Sequence, residues 1–106
     1  MKKTYKKINN FPHGIMFHNF HDNKKYKKGD GSLSKKDLIK IIKFIGRKNI
    51  LNAKDFINNY KNNTLKNDNV CFTFDDGSKS QVDIALPILK KFNIKAFFFI
   101  YSKSLE

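Results

Sequence analysis

The sequence predicts an α/β fold built from parallel β/α units. Three observations carry this. Short apolar runs that suit strands alternate with stretches of helical periodicity, in the order strand, helix, helix, strand, helix, strand. The run Ala96-Phe97-Phe98-Phe99-Ile100 is continuously apolar, as a strand covered on both faces must be. Three helices can hardly cover both faces of such a sheet. The set therefore reads as an incomplete part of an α/β barrel rather than a closed domain.

Taken in order, Met1–His13 is a basic lead that we expect to be mobile, and the domain is expected from Gly14 to Glu106. Gly14-Ile15-Met16-Phe17-His18 is the first strand. His18 to Ser32 is polar, with Lys24, Lys25, Lys27 and Lys28 around Tyr26 and then Gly29-Asp30-Gly31, so a solvated surface loop is expected. Ser34 is a plausible N-cap, Asp37 lies in the first turn, and Leu38, Ile41, Ile42 and Ile45 recur at helical spacing. Gly46 or Asn49 ends this helix. After the extended Ile50-Leu51, Asn52 caps a second short helix with Phe56, Ile57 and Tyr60 on its apolar side.

Asn69 to Asp75 is the next strand, and Ser80 to Phe92 is helical. Pro87 interrupts that helix, because its ring and missing N–H disturb the preceding turn. The regular part is expected to begin close to Pro87 and to end at Asn93. Ala96 to Tyr101 is the last strand, followed by the polar Ser102–Glu106. No internal repeat is present.

The chain of 106 residues carries 22 basic and 9 acidic residues, a net charge of +13. Such an excess raises nucleic acid or an anionic surface as a partner. Here the lysines are spread along an asparagine- and isoleucine-rich chain, and Arg47 is the one arginine available to read phosphate bidentately. Nucleic acid is therefore not expected. Cys71, alone and flanked by Val70 and Phe72, excludes an intrachain disulfide and reads as an inert buried thiol. Asn9, Asn10, His13 and His18 interrupt any signal-peptide apolar core, and no run approaches the ~20 residues of a membrane span. The cytoplasm is the expected compartment.

Thr73-Phe74-Asp75-Asp76-Gly77 carries the chemistry. Neighbouring side chains on a flat strand point to opposite faces, so two adjacent aspartates share a site only where the strand ends and turns. Gly77 tolerates the positive φ such a turn requires. Ligand sites of α/β folds form at that carboxyl rim. One carboxylate there suits a divalent metal and its neighbour suits proton abstraction from water. The same three residues also fit a solvent-exposed turn capping the next helix.

The flanking residues favour the first alternative. The motif, followed by Ala85-Leu86-Pro87-Ile88-Leu89-Lys90-Lys91-Phe92-Asn93-Ile94-Lys95-Ala96-Phe97-Phe98-Phe99-Ile100, resembles the first third of polysaccharide deacetylases, the NodB-homology enzymes of carbohydrate esterase family 4. Gly14-Ile15-Met16-Phe17-His18 is similar to the strand ending in Tyr/Phe-His that precedes the motif in many members. The resemblance implies the N-terminal part of a distorted (β/α) barrel of the glycoside hydrolase/deacetylase type. It implies Asp75 as general base, Asp76 as metal ligand, Zn²⁺ or a similar divalent metal as cofactor, and N-acetylated carbohydrate as substrate. His18 would end its strand on the rim of Asp75 and line the site or contact substrate.

The sequence also departs from the pattern. The second family motif, His-[Ser/Thr]-x-x-His, supplies the other two metal ligands and is not among these residues, nor are the later motifs. A catalytic zinc site takes three protein ligands, and a barrel of this kind takes about 250 residues. The family's Lys-Ala-Thr-Phe-Phe stands here as Lys95-Ala96-Phe97-Phe98-Phe99. His18 and His21, three apart with Asp22 beside them, read as ordinary strand-end residues rather than substitute ligands. The expectation is a truncated or split deacetylase, interrupted before the second metal-binding motif and inactive alone, with a complementary downstream chain as its potential partner. The alternative from another class is a small basic module that binds acidic glycan or nucleic acid.

Overall fold

In a computed structural model, which describes residues 11–99, three strands form one parallel sheet. They are β1 (His13–Phe17), β2 (Val70–Phe74) and β3 (Phe97–Phe98), and their order in the sheet is their order in the chain. The helices are α1 (Lys35–Ile45), α2 (Ala53–Lys61) and α3 (Leu86–Lys91). The parallel α/β reading therefore holds. β1 starts one residue early, so His13, assigned above to the lead, pairs with Val70. The rest of the lead up to Asn10, the end of the last strand at Ile100 and Tyr101, and Ser102–Glu106 lie outside the described residues.

The start of α1 is a capping box. Ser34 is extended, its Oγ accepts from the Asp37 N–H (3.1 Å), and the Asp37 carboxylate accepts from the Ser34 N–H (2.9 Å). Those bonds, the Ser34 backbone N–H first, hold the Asp37 carboxyl below the ordinary aspartate range. Leu38, Ile42 and Ile45 are buried, and the helix stops at Gly46, whose φ of 92° an L side chain rarely adopts. The 3₁₀ turn that follows, Arg47–Asn49, puts the one arginine where three carbonyls converge. Its guanidinium donates to Phe92 O (2.6 Å), Ile50 O (2.7 Å) and Asn93 O (2.6 Å), tying the exit of α1 to the exit of α3.

The sheet has two unlike faces. Ile15 and Phe17 of β1 and Val70, Phe72 and Phe74 of β2 face the helices and share a core with Leu38, Ile42, Ile84, Ile88 and Leu89. Aromatic rings dominate it: Phe17 meets Phe72 edge-on at 4.9 Å, and Phe98 stacks on Phe74 at 4.8 Å. By strand alternation Gly14, Met16, Thr73, Phe97 and Phe99 lie on the other face, where Met16 is 58% and Phe99 54% exposed. Cys71 is buried there, and burial pushes its thiol up, as an inert thiol requires.

Two segments differ from the sequence expectation. The loop after β1 is not wholly solvated: Phe20 and His21 are buried. Phe20 stacks on Phe74 and pairs with Leu33, while the His21 ring hydrogen-bonds Ser32 Oγ at 2.7 Å. An aromatic ring three residues beyond Phe17 completes the core more favourably than it solvates. Helix α2 buries no residue, and Ile57 and Tyr60 are exposed. Its anchors are polar instead: Asn52 Oδ1 accepts from the Lys95 N–H, and the Ala53 N–H donates to Lys95 O. Asn52 thus occupies the cap position without making a side-chain cap bond.

Before Pro87 the chain winds as a π-turn, Gln81–Ala85, in which the Leu86 N–H reaches back to Gln81 O. The regular helix begins at Leu86 with Pro87 in its first turn, where a missing N–H costs nothing. It ends in a Schellman motif: Ile94 N–H bonds Leu89 O (2.8 Å), Asn93 N–H bonds Lys90 O (3.1 Å), and Asn93 takes φ 55°.

Candidate functional site

Because the strands are parallel, the carboxyl ends of β1 and β2 lie side by side. The register pairs Phe17 with Phe74, so His18 and Asp75 are the next residues on each strand. The Asp75 N–H donates to Phe17 O at 3.0 Å and holds that register past the ladder. Alternation sends both side chains to the face opposite Phe17 and Phe74. There His18 Nε2 stands 3.7 Å from Asp75 Oδ2, an ion pair whenever the imidazole is protonated. The Asp75 side chain is 23% exposed and that of His18 53%, so the pair is accessible from solvent yet supported from beneath.

Asp76 leaves the strand geometry altogether. It takes φ 72° and Gly77 takes φ 57°, two left-handed residues in succession. The glycine was legible as a turn residue, whereas the positive φ of Asp76 was not. That conformation costs a non-glycine residue about 1–2 kcal/mol. The Asp76 carboxylate is exposed and makes no hydrogen bond or ion pair among the described residues. A strained residue with an unengaged charge beside a paired carboxylate is a common mark of a working site.

Beneath the rim lies a polar layer that sequence reasoning missed. Gln81 is fully buried, and its Nε2 donates to His18 O (2.6 Å) and to Asp75 O. Ser80 Oγ accepts from the Phe20 N–H (3.1 Å) and contacts Ser78 Oγ (3.0 Å). A cleft of about 430 Å³ opens between this turn and the loop after β1, lined in part by Asn19, Lys27, Asp30 and Lys79. At its side the Tyr26 hydroxyl donates to Asp83, which also meets Lys25 Nζ at 3.4 Å. The Tyr26 hydroxyl, then Lys25, hold the Asp83 carboxyl low, and the hydrogen bond to Asp83 raises Tyr26.

The residues named from sequence as the site, Asp75, Asp76 and His18, all lie at this strand end, whereas His21 turns inward to Ser32. Among the described residues no three His, Cys, Asp or Glu side chains converge to hold a metal ion. Zinc in a catalytic site takes three protein ligands, so these residues alone do not fit one. Among the described residues, too, no helix is long and apolar enough to cross a membrane.

Residues 62–106 match the family model for polysaccharide deacetylase, a stretch that includes β2, the rim aspartates, α3 and β3. The matched stretch is less than half of the chain and is similar to that family over those residues. Among solved structures, a de-N-acetylase from Aggregatibacter actinomycetemcomitans matches with a TM-score of 0.65 and 21% identity. The match covers 82% of this chain and 36% of that one, and at this identity it is a likeness of fold. A search of curated proteins gives no match.

Proposed function

We propose that this chain carries the acidic portion of a carbohydrate de-N-acetylase site, in the N-terminal part of a distorted (β/α) barrel. The observation that supports it best is the His18–Asp75 pair at the carboxyl rim, inside a fold that resembles a de-N-acetylase and beside a deacetylase-type aspartate motif. Asp75 is the base. It takes a proton from water, whose oxygen bonds to the acetyl carbonyl carbon, and the C–N bond then breaks to give acetate and a free amine. His18, half-exposed beside Asp75, contacts the substrate or orients the carboxylate. Asp76 is one ligand of a divalent ion such as Zn²⁺. The further ligands and the acid for the departing amine come from outside the described residues, on more of this polypeptide or on a partner chain. The chain of 106 residues alone is then inactive.

The alternative, a basic module for acidic glycan or nucleic acid, gains no support. Its one arginine is engaged by backbone carbonyls.

The test begins with the transcript, sequenced past codon 106. A frame encoding His-[Ser/Thr]-x-x-His is expected, and the joined or co-expressed protein should release acetate from N-acetylglucosamine oligomers. Asp75→Asn should lower that rate by about 10²–10⁴-fold. Absence of that motif both from such a frame and from any co-expressed chain that binds this one, or a joined or co-expressed protein that keeps its rate after Asp75→Asn, overturns the reading.

A further inference from the structure

Gln81 is the single glutamine of the chain and, among the described residues, the one large polar side chain buried completely. It sits on the first turn after the rim, at the helical spacing of Ile84, Ala85 and Ile88, which are all buried. A side chain there has an apolar environment, and burying an amide without partners costs several kcal/mol. Its position makes sense through what Nε2 does. The two N–H bonds go to the carbonyls of His18 and Asp75, the residues that directly follow β1 and β2. Both carbonyls have left the strand ladder, since β1–β2 pairing stops at Phe17 and Phe74. One amide nitrogen therefore joins the two backbone points from which the site's side chains project. The Gln81 Oε1 is buried and unpartnered among the described residues, so the side chain is held by its nitrogen alone.

We propose that Gln81 is a positioning residue that sets the distance and orientation of the His18–Asp75 pair by bridging the two strand ends. The proposal rests on the reading of that pair as the working part of the site. Without the bridge, the two carbonyls must find water, the strand ends separate, and the imidazole loses its carboxylate neighbour.

The test is a double-mutant cycle read on the His18 ring nitrogens by ¹⁵N NMR, using the whole chain. Asp75→Asn should displace the His18 resonances and leave those of His13 in place. In a Gln81→Met background, similar in volume but without a donor, Asp75→Asn should displace them by less than about half as much. A displacement of full size in both backgrounds overturns the proposal. Should Gln81→Met fail to fold, the unmodified chain still decides. The Gln81 side-chain amide protons should exchange at least about tenfold more slowly than those of exposed asparagines. Exchange at the exposed rate overturns the bridge. In the joined enzyme Gln81→Met should lower kcat and leave KM unchanged. None of the NMR readouts depends on turnover, so failure of the deacetylase reading and failure of the bridge are separable.

Discussion

Replacing Arg47 by lysine keeps the charge and removes the geometry, which makes it the sharpest perturbation of this fold. The guanidinium holds three backbone carbonyls at 2.6–2.7 Å, and an ammonium, a single point of donation without the planar fork, retains at most one of them. Hydrogen bonds with one charged partner contribute about 1.5–3 kcal/mol each. Asn93 is exposed and Phe92 half-buried, so water reaches their carbonyls and offsets much of that loss; Ile50 is buried and its carbonyl is less easily compensated. The net cost of Arg47→Lys is then about 2 kcal/mol. For a domain of this size that lowers the melting temperature by about 8–16 °C. Thermal unfolding followed by circular dichroism measures it, with the neighbouring Lys48→Ala as a control that should stay within about 0.5 kcal/mol. A variant that melts within about 2 °C of the parent would refute the assignment of Arg47 as a backbone clamp. It would also return that arginine to the set of groups free to bind phosphate.

Two further outcomes are expected. Asp76→Gly removes the unengaged carboxylate and relieves a left-handed non-glycine residue, at an entropic cost of about 0.5–1 kcal/mol. It should melt at or slightly above the parental temperature, and a drop of more than about 5 °C would show the carboxylate holding structure. Asp22, Asp37 and Asp83 all have carboxyls below their ordinary range: Asp22 through the Tyr26 and Lys24 N–H groups, Asp37 through Ser34, and Asp83 through the Tyr26 hydroxyl. A depressed folded value means that the unfolded chain takes up protons first. Their stabilisation is present above about pH 4 and lost as the pH falls through the folded values. Urea midpoints measured from pH 6 downwards should fall on that limb, and Asp37→Asn should flatten it.

What was legible in the sequence follows from how local each signal is. The Ser34 cap, the Leu38–Ile45 stripe and the Pro87 boundary depend on neighbours within one turn, and the structure has them where the sequence placed them. The rim position of Asp75 beside His18 follows from the parallel arrangement and the strand ends together. Burial of Phe20 depends on Phe74, more than fifty residues away, and so is invisible to a local reading of a lysine-rich loop. Helix α2 shows the converse: Ile57 and Tyr60 have helical spacing, yet no apolar surface faces them. Gln81 did leave a trace, a polar residue in phase with Ile84, Ala85 and Ile88. Periodicity marks such a position as buried, but cannot say which carbonyls it serves.

The order β1-β2-β3 in space repeats the order of synthesis. No strand has to be threaded between two that are already paired; each arriving strand meets an edge left open by the one before it. The sheet can thus assemble vectorially as the chain leaves the ribosome, β2 docking once α1 and α2 have emerged and β3 following α3. Asp75 and His18 come together at the first of these events, so their side of the site can take shape before β3 has been made.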